Sequence, residues 1–241
     1  MLIISDFHSH ILPTMDDGSA SVEESVALLE LEAAQGVSRV VLTPHFYPLR
    51  ESPREFLQRR DAAEAKLLQA VKGRKDLPEL LIGAEVAYYA GMSESEELPL
   101  LTLRGTDCIL IEMPAAPWPK SVWRELRDIR EKQGLIPIIA HVDRYIRPLR
   151  TYGIPRKLQQ CEVLVQANAN FFIRRETARM ALDMLKKDRI HLVGSDCHNL
   201  TTRHPNLAAA ADKIEEKLGR KTLYRISVIE HRIINRLGVI E

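Results

Sequence analysis

Short apolar runs recur along the chain, and each is followed by polar residues. A short continuous apolar run is typical of a strand that is buried on both faces of a parallel sheet. We therefore predict seven strands, each ending near a residue that can bind a metal or form hydrogen bonds. The predicted strands are 2–4 before the segment 5–10, 37–42 before His45, 80–84 before Glu85, 108–111 before Glu112, 135–140 before His141, 163–166 before Asn168, and 191–194 before Asp196.

Helix signals lie between most of these strands. Ser21 with Glu24, and Ser52 with Glu55, have the spacing of a capping box and begin two helices, the first of which ends at Gly36. Apolar residues at helical spacing follow both starts. The other predicted helices cover residues 121–132, 176–187 and, as a pair at the end of the chain, 206–241.

This alternation of strands and helices predicts an α/β fold with a parallel sheet and right-handed crossovers. An open doubly wound sheet gathers its ligands only from strands near a switch point, whereas a closed barrel places polar groups at the ends of many strands. All seven predicted strands contribute polar residues, so a barrel is favoured. We expect one domain over residues 1–241, with the helices of 206–241 packing on the barrel.

Composition narrows the possible classes of protein. The 241 residues are 45% hydrophobic, which is enough for one well-filled core without requiring two domains. A formal charge of +1 excludes an overall field that would attract nucleic acid or an anionic membrane. Three cysteines indicate a reducing compartment rather than a disulfide scaffold. No signal peptide or membrane span is apparent, so we expect a cytoplasmic protein.

Nine residues near the predicted strand ends are candidate metal ligands. His8 and His10 are the clearest pair, because alternate side chains of an extended segment share a face. Five imidazoles and four carboxylates suit two or three divalent cations, and the absence of thiolate favours Mn, Fe or Zn. Three such ions bring about +6 against about −4 from the carboxylates, so the site would attract phosphate. The nine are His8, His10, Asp17, His45, Glu85, Glu112, His141, Asp196 and His198.

Two arginines follow the candidate ligands in sequence. Arg144 comes three residues after His141, and Arg203 follows the segment 195–199. A planar guanidinium can bind two phosphate oxygens at once, so both are candidate phosphate clamps. Asp16 and Asp143 are weaker candidates for protonating a leaving group. Outside the pattern, we expect structural or surface roles for three histidines: His191, His204 and His231.

Taken together, these motifs resemble the PHP superfamily, and within it the bacterial PHP-type protein-tyrosine phosphatases encoded with capsule and exopolysaccharide genes. The similarity extends in order from residue 1 to about residue 205. The motifs that carry it are His8-Ser9-His10-Ile11-Leu12-Pro13, Asp16-Asp17-Gly18, Thr43-Pro44-His45, Gly83-Ala84-Glu85, Ile111-Glu112, Ala140-His141 with Arg144-Tyr145, and Ser195-Asp196-Cys197-His198-Asn199 with Arg203.

The resemblance implies a distorted seven-stranded, TIM-like (β/α)7 barrel and a centre of three divalent metal ions, usually manganese. It also implies that a metal-bridging hydroxide attacks phosphotyrosine on a cognate tyrosine autokinase, with Arg144 and Arg203 on the phosphoryl oxygens. An oligomer is compatible with it. The implied ligand sets are His8, His10, Glu85 and Asp196 for one metal, Glu85, Glu112 and His141 for a second, and Asp17, His45 and His198 for the third.

Three other functions stay open at this point. Cys197 and Arg203 have the spacing of a cysteine-dependent phosphatase, although the five residues between them include no glycine to form a phosphate cradle. Histidinol-phosphate phosphatase, or another small-molecule phosphoesterase of the superfamily, would use the same metal centre. A metal-binding module that docks on a kinase without turnover would keep the ligands but not need both arginines.

Overall fold

The computed structural model describes residues 4–146 and 153–236, and within them the predicted alternation of strands and helices is confirmed. The strand predicted from residues 2–4 begins at Ile4; residues 2 and 3 lie outside the described part of the chain. The strands are β1 (Ile4–Ser9), β2 (Val37–Leu42), β3 (His45–Phe46), β4 (Glu79–Ile82), β5 (Glu85–Ala87), β6 (Cys108–Glu112), β7 (Ile136–Ile139), β8 (Leu164–Asn168) and β9 (Leu192–Gly194).

Helices connect most of these strands. Ser52 forms both hydrogen bonds of a capping box with Glu55, whereas Ser21 accepts from the Glu24 amide without the reciprocal bond. No helix in the described ranges is long and apolar enough to cross a bilayer. The helices are α1 (Val22–Ala34), α2 (Pro53–Ala70), α3 (Lys120–Gln133), α4 (Ile154–Gln159), α5 (Ala169–Ile173), α6 (Ala178–Lys186), α7 (Leu207–Leu218) and α8 (Arg220–Ile234).

The strands form two parallel sheets, so the single seven-stranded sheet expected from the sequence is not what the hydrogen-bond ladders show. One sheet has the order β1-β2-β4 and the other β3-β5-β6-β7-β8-β9. The described residues form nine strands rather than seven because two short strands that were not predicted, β3 and β5, follow breaks at Thr43-Pro44 and at Gly83-Ala84. Pro44 has no amide hydrogen for a ladder, and a side chain at Gly83 would lie 2.4 Å from Leu103 Cδ2.

Backbone hydrogen bonds nevertheless connect the two sheets at both edges of the six-stranded sheet, near β3 with β5 and near β9. The Glu85 amide donates to Pro44 O (3.0 Å), and the Gly83 amide donates to Leu42 O (2.8 Å). At the other end, the His10 amide donates to Cys197 O (2.9 Å), just beyond β9. Thus β1 lies beside both β2 and the segment that follows β9.

One apolar cluster is built from strands of both sheets. Ile233 of α8 packs into this cluster, so a helix of the C-terminal pair covers it; residues 237–241 of the segment predicted to pack there lie outside the described residues. Alternate strand residues point into the cluster, as the period of an extended chain requires. Besides Ile233, its buried members are Phe7, Val41, Leu103, Cys108, Leu110, Ile136, Ile138, Ala140, Leu164 and Leu192.

Glu230 of α8 is a buried carboxyl beside a cavity of about 30 Å³ that Ser5 also lines. Burial raises its pKa to about 8, against a smaller opposing effect of Ser5 and Arg39. The folded protein therefore keeps a proton that the unfolded chain loses above its ordinary pKa near 4.5. The contribution of the protonated Glu230 carboxyl to the free energy of unfolding is fully present below pH 4.5 and is lost as the pH rises towards 8.

Replacing Glu230 by glutamine is expected to remove this pH dependence. The variant should match the parent near pH 5 and become more stable than it by about 1.4 kcal/mol per pH unit, or ~4 kcal/mol in all by pH 8. Urea unfolding of both proteins at pH 5, 6.5 and 8 measures the difference. The exposed Glu215→Gln is the matched control, and parallel profiles for Glu230→Gln and the parent would contradict the assignment.

Candidate metal centre

The candidate ligands lie at the carboxyl-terminal edge of the strands, because all of the ladders are parallel. His8 is within β1, His10 follows it directly, and Asp17 lies in the loop between β1 and α1; the other candidates begin β3 and β5, end β6, or follow β7 and β9. His141 and Asp196 have the left-handed φ angles 31° and 56°, which are strained for residues other than glycine. Such strain is common where the surrounding structure fixes a functional side chain.

Glu85 is the centre of the arrangement. Its side chain is almost fully buried, and its Oε1 lies 2.6 Å from His141 Nε2. Its Oε2 lies 3.1 Å from His8 Nε2, 3.3 Å from His10 Nε2 and 3.0 Å from His45 Nδ1. One carboxylate therefore contacts four of the five predicted imidazoles.

The remaining candidates surround this centre. Glu112 Oε1 lies 3.6 Å from His141 Nε2, and Asp196 Oδ1 lies 3.5 Å from His10 Nε2. Asp17 is exposed, but its Oδ1 reaches His198 Nε2 at 3.4 Å. Sets of side chains with ligand atoms within 4.8 Å of one another are His10, Asp17, His45 and His198; His8, His10 and Glu85; and His45, Glu85 and Glu112.

These sets overlap with the ligand sets implied by the resemblance without matching them. His10 joins the set around Asp17, and His45 rather than His141 joins Glu85 and Glu112. The Nε2 atoms of His8 and His10 face each other at 3.1 Å. Two nitrogens at this distance need a proton or a cation between them.

Unpartnered atoms indicate that the site fits a cation. Among the described residues, the buried atoms His45 Nδ1, Glu85 Oε2 and His198 Nε2 make no hydrogen bond. Buried polar atoms rarely remain without a partner, and those that do call for an ion or water. Imidazole nitrogens and carboxylate oxygens together suit Mn, Fe or Zn.

Charge is distributed unevenly within the site. Burial would lower the pKa of His10, but hydrogen bonds to Asp16 and Glu85 raise it to about 10. Burial lowers the pKa of His45 and of His198 to about 4, so both are neutral at pH 7 and free to bind a metal. The imidazoles of His8, His10 and His141 hold the pKa of Glu85 well below its usual range despite its burial.

The other ring nitrogen, Nδ1, is hydrogen-bonded in four of the five histidines, which leaves Nε2 facing the site. Such partners fix the tautomer and the ring orientation of a metal ligand. They could not be identified from the sequence, because three of the four are side chains whose partners depend on the fold. The contacts of Nδ1 are His8 with Gln166 Oε1 (3.3 Å), His10 with Asp16 Oδ2 (2.8 Å), His141 with the Tyr145 hydroxyl (3.0 Å) and His198 with Asp196 O (3.0 Å).

Asp16 is an orienting carboxylate rather than an acid. Its oxygens also accept hydrogen bonds from the amides of His45 and Gly18. Despite its burial, these bonds and His10 lower its pKa strongly, so it carries no proton for a leaving group at neutral pH. Asp143, the other candidate acid, accepts a hydrogen bond from the Asn168 amide (3.0 Å).

Gln166 connects several candidate ligands. Its Oε1 accepts from the amide of His141 (2.5 Å) as well as from His8, and its Nε2 donates to Asn168 Oδ1 (3.2 Å). Asn168 Nδ2 donates in turn to Asp196 Oδ2 (2.9 Å). A side chain at Gly194 would lie 2.6 Å from His8 Cβ, so glycine is needed for this close approach.

Replacing Gln166 by methionine is expected to weaken metal binding about 10- to 100-fold, because the acceptor that orients His8 is lost. Gln166→Glu keeps that oxygen but loses the amide that donates to Asn168, so it should lose less metal affinity than the methionine variant. Competition with a coloured chelator measures the affinity, and thermal unfolding checks the fold. The exposed Gln58→Met is the control; a methionine variant that binds metal as tightly as the parent would exclude this role.

Both arginines reach the site. Arg144 pairs with Asp196 Oδ2 and lies 3.5 Å from Glu112 Oε1, while Arg203 Nη2 lies 2.7 Å from Asp196 Oδ1. Their side chains are 39% and 36% exposed, so solvent and a ligand can reach them. They approach the two oxygens of one carboxylate at the open side of the centre.

Cys197 lacks the surroundings of a nucleophilic thiolate. It is fully buried, and burial, with Glu32 and Asp6, raises its pKa well above the usual range. The loop after it does not form a phosphate cradle, because Asn199 Oδ1 accepts from the amides of residues 201, 202 and 203. A cysteine-dependent mechanism is therefore not supported.

The three histidines expected to be structural have ordinary partners. His191 Nδ1 accepts from the Val165 amide (3.0 Å), and burial lowers the pKa of His191 to about 4. His204 Nδ1 lies 3.0 Å from Thr201 O, and His231 contacts Asn235.

Fold and site together define an α/β protein with a candidate metal centre at the edge of its parallel sheets. Residues 4–234 match the family described as "Capsular polysaccharide synthesis, CpsB/CapC". The chain belongs to this CpsB/CapC family.

Relatives of known name match almost the whole chain. The tyrosine-protein phosphatase YwqE of Bacillus subtilis is 29% identical, over 92% of this chain and 88% of its own. The tyrosine-protein phosphatase CpsB of Streptococcus pneumoniae is 31% identical, over 95% of this chain and 97% of its own.

A solved structure has the same fold. It comes from work on YwqE and on CpsB from S. pneumoniae, described as unique metal-dependent tyrosine phosphatases. The match has a TM-score of 0.85 at 22% identity and covers 98% of this chain and 96% of that one.

Proposed function

We propose that this chain is a metal-dependent protein-tyrosine phosphatase that acts in capsular polysaccharide synthesis. The main support is the convergence of buried imidazoles, carboxylates and two arginines on one edge of the sheets. Membership of the CpsB/CapC family adds to this, as do relatives named tyrosine-protein phosphatases.

The proposed ligands are the nine residues of the candidate centre, and the proposed occupants are three divalent cations, manganese first among them. The unpartnered buried atoms of Glu85, His45 and His198 support this assignment. Divalent cations there would offset the charge of a phosphate ester and make water acidic enough to supply a nucleophile at neutral pH. The chain's own part is to hold imidazole Nε2 atoms and carboxylate oxygens ready at fixed positions.

Arg144 and Arg203 are the proposed phosphate-binding residues. Both now pair with Asp196, and a phosphoryl group at the open side would offer them further oxygens. Planar guanidinium groups hold two oxygens each and stabilise charge as the bond to phosphorus breaks.

The proposed substrate is phosphotyrosine on a tyrosine autokinase. Tyr47 stacks on His45 with ring centroids 5.0 Å apart, and the exposed Arg50 guanidinium lies over the same ring at 4.5 Å, so an aromatic and a cationic group form one surface beside the candidate centre. We assign this surface to the phenyl ring of the substrate.

We also infer that the two sheets form one distorted seven-stranded barrel within a single domain over residues 1–241. In this count β2 with β3, and β4 with β5, are each one interrupted strand. The hydrogen bonds across Thr43-Pro44 and Gly83-Ala84, the bridge from Ser9 to Cys197, and the shared apolar cluster support it. Cytoplasm is the proposed location, because all three cysteines are free and buried.

Hydrolysis assays test the proposed function. Purified protein, freed of metal by chelation and then given manganese, should hydrolyse a phosphotyrosine peptide only after metal is restored, and Cys197→Ser should behave like the parent. If the protein hydrolyses histidinol phosphate in preference to the peptide, its function is that of a small-molecule phosphoesterase and not of a tyrosine phosphatase. Activity that survives chelation but not Cys197→Ser would overturn the metal mechanism.

A further inference from the structure

A groove of about 330 Å³ lies between α3 and α4, outside the candidate metal centre. Lys120, Arg124, Arg127 and Lys157 line it, and among the described residues no acidic side chain does. Trp123 forms its apolar wall, and Lys157 Nζ lies 5.3 Å from the centre of that ring. The groove therefore combines four cations with an aromatic surface.

None of these four cations forms an ion pair with another described residue. Some surface cations elsewhere are paired, such as Arg104 with Asp61 and Glu64, and others, such as Lys72 and Lys75, have no such partner in the described part of the chain. The distinguishing feature of the groove is that four cations line it together without an acidic side chain among the described residues. With a formal charge of only +1 on the whole chain, the excess at the groove is local. A local excess of this kind attracts anionic partners and makes their binding depend on salt.

Lys120, at one end of the groove, lies on the side of the sheets that holds the candidate centre. Lys120 begins α3, which follows the strand β6 that ends at Glu112. The first amides of this 14-residue helix have no side-chain cap, which adds partial positive charge at that end.

Aromatic contacts connect the groove to the site. Trp123 packs on Trp118 (5.0 Å between centroids), Trp118 on Tyr145 (5.4 Å), and Tyr145 on His141 (5.6 Å). An extended peptide advances ~3.3 Å per residue, so about five residues cover this path.

We propose that this groove binds an acidic segment of the protein substrate, about five residues from the phosphotyrosine. The inference rests on the proposed function, because it makes the groove a second contact for the same polypeptide. Charge complementarity selects the occupant: carboxylates pair with the four cations, and an apolar residue of the segment packs on Trp123. The groove would then select among phosphotyrosine proteins without taking part in the chemistry.

Two matched peptides test the selection. Both carry one phosphotyrosine; one has glutamates within six residues on each side, and the other has glutamines at the same positions. The parent should have the lower KM for the glutamate peptide, and Arg124→Gln with Arg127→Gln should reduce that preference about tenfold, through KM rather than kcat. Lys72→Gln with Lys75→Gln removes the same charge at the opposite end of the fold and should preserve the preference.

A binding assay separates this proposal from the proposed function. A fluorescent glutamate-rich peptide without phosphotyrosine should bind the parent, more weakly as salt is added, and about tenfold more weakly to the Arg124/Arg127 variant. If no phosphotyrosine peptide is hydrolysed, the proposed function fails while this assay still tests the groove. Equal binding by parent and variant overturns the groove proposal. Binding to phosphatidylserine vesicles is measured beside it. If the Arg124/Arg127 variant binds the vesicles more weakly than the parent but binds the peptide equally well, the groove is assigned to a membrane and the proposal is overturned as well.

Discussion

Replacing Glu85 by glutamine is expected to reduce phosphotyrosine hydrolysis about 10³-fold or more. This carboxylate is fully buried and contacts His8, His10, His45 and His141. Glutamine has nearly the same shape but removes the negative charge that faces His8, His10 and His141 and that a cation bound among these imidazoles would require. Activity with saturating manganese and the metal content of the purified variant measure the effect.

Glu230→Gln is the matched control, because it makes the same change at a buried carboxyl outside the centre. It should leave hydrolysis within about twofold of the parent while raising stability above pH 5. A Glu85→Gln variant that is folded, retains its metal and hydrolyses the peptide at the parent rate would show that Glu85 is not a ligand.

Arg144→Ala and Arg203→Ala should each lower kcat/KM about 10²-fold. The two guanidinium groups approach opposite oxygens of Asp196 and would share one phosphoryl group, so their effects are expected to be coupled. The double variant should therefore lose less than the product of the two single losses. Steady-state kinetics on a phosphotyrosine peptide with all four proteins gives the coupling.

Arg74→Ala is a suitable control for these variants, since Arg74 is a partly exposed arginine paired with Asp76 and Glu30 after α2, at the other end of the fold. It should not change kcat/KM. If both alanine variants at 144 and 203 stayed within threefold of the parent, the arginines would be excluded as phosphate-binding residues.

The strands and the edge at which they end follow from local sequence. Residues 37–42 form β2 as predicted, and most other strands end within about two residues of the prediction, but β1 runs to Ser9, five residues beyond the predicted strand 2–4. Buried parallel strands are apolar throughout, so the first polar residue after each run indicates where the strand leaves the core. For this reason most of the candidate ligands could be named before the fold was known, whereas His8 lies within β1 and Asp17 lies in the loop that follows it.

The short strands β3 and β5 were not predicted, although Pro44 gave a local signal for the break that separates β3 from β2. At Gly83, the requirement for glycine comes from Leu103, which is distant in sequence and packs where a side chain would lie. Only the tertiary structure brings that neighbour into place.

The partners that orient the histidines were also missed. Gln166 is 158 positions from His8 in sequence, and no local pattern connects them. A usable signal was the polar amide within an otherwise apolar strand, because a buried amide needs hydrogen-bond partners. Tyr145 gave no comparable signal, since it lies six residues after the end of β7 and nothing in the local pattern shows that its hydroxyl reaches His141.

The most direct test of the account is a metal titration of the chelated protein, with phosphotyrosine hydrolysis and bound metal measured in the same samples. We predict that activity is lost with the metal and returns as divalent cations, manganese included, bind at the nine-residue centre. His10→Ala and Asp196→Asn should each lower the metal bound per chain. Full hydrolysis by protein that holds no metal would contradict the central claim.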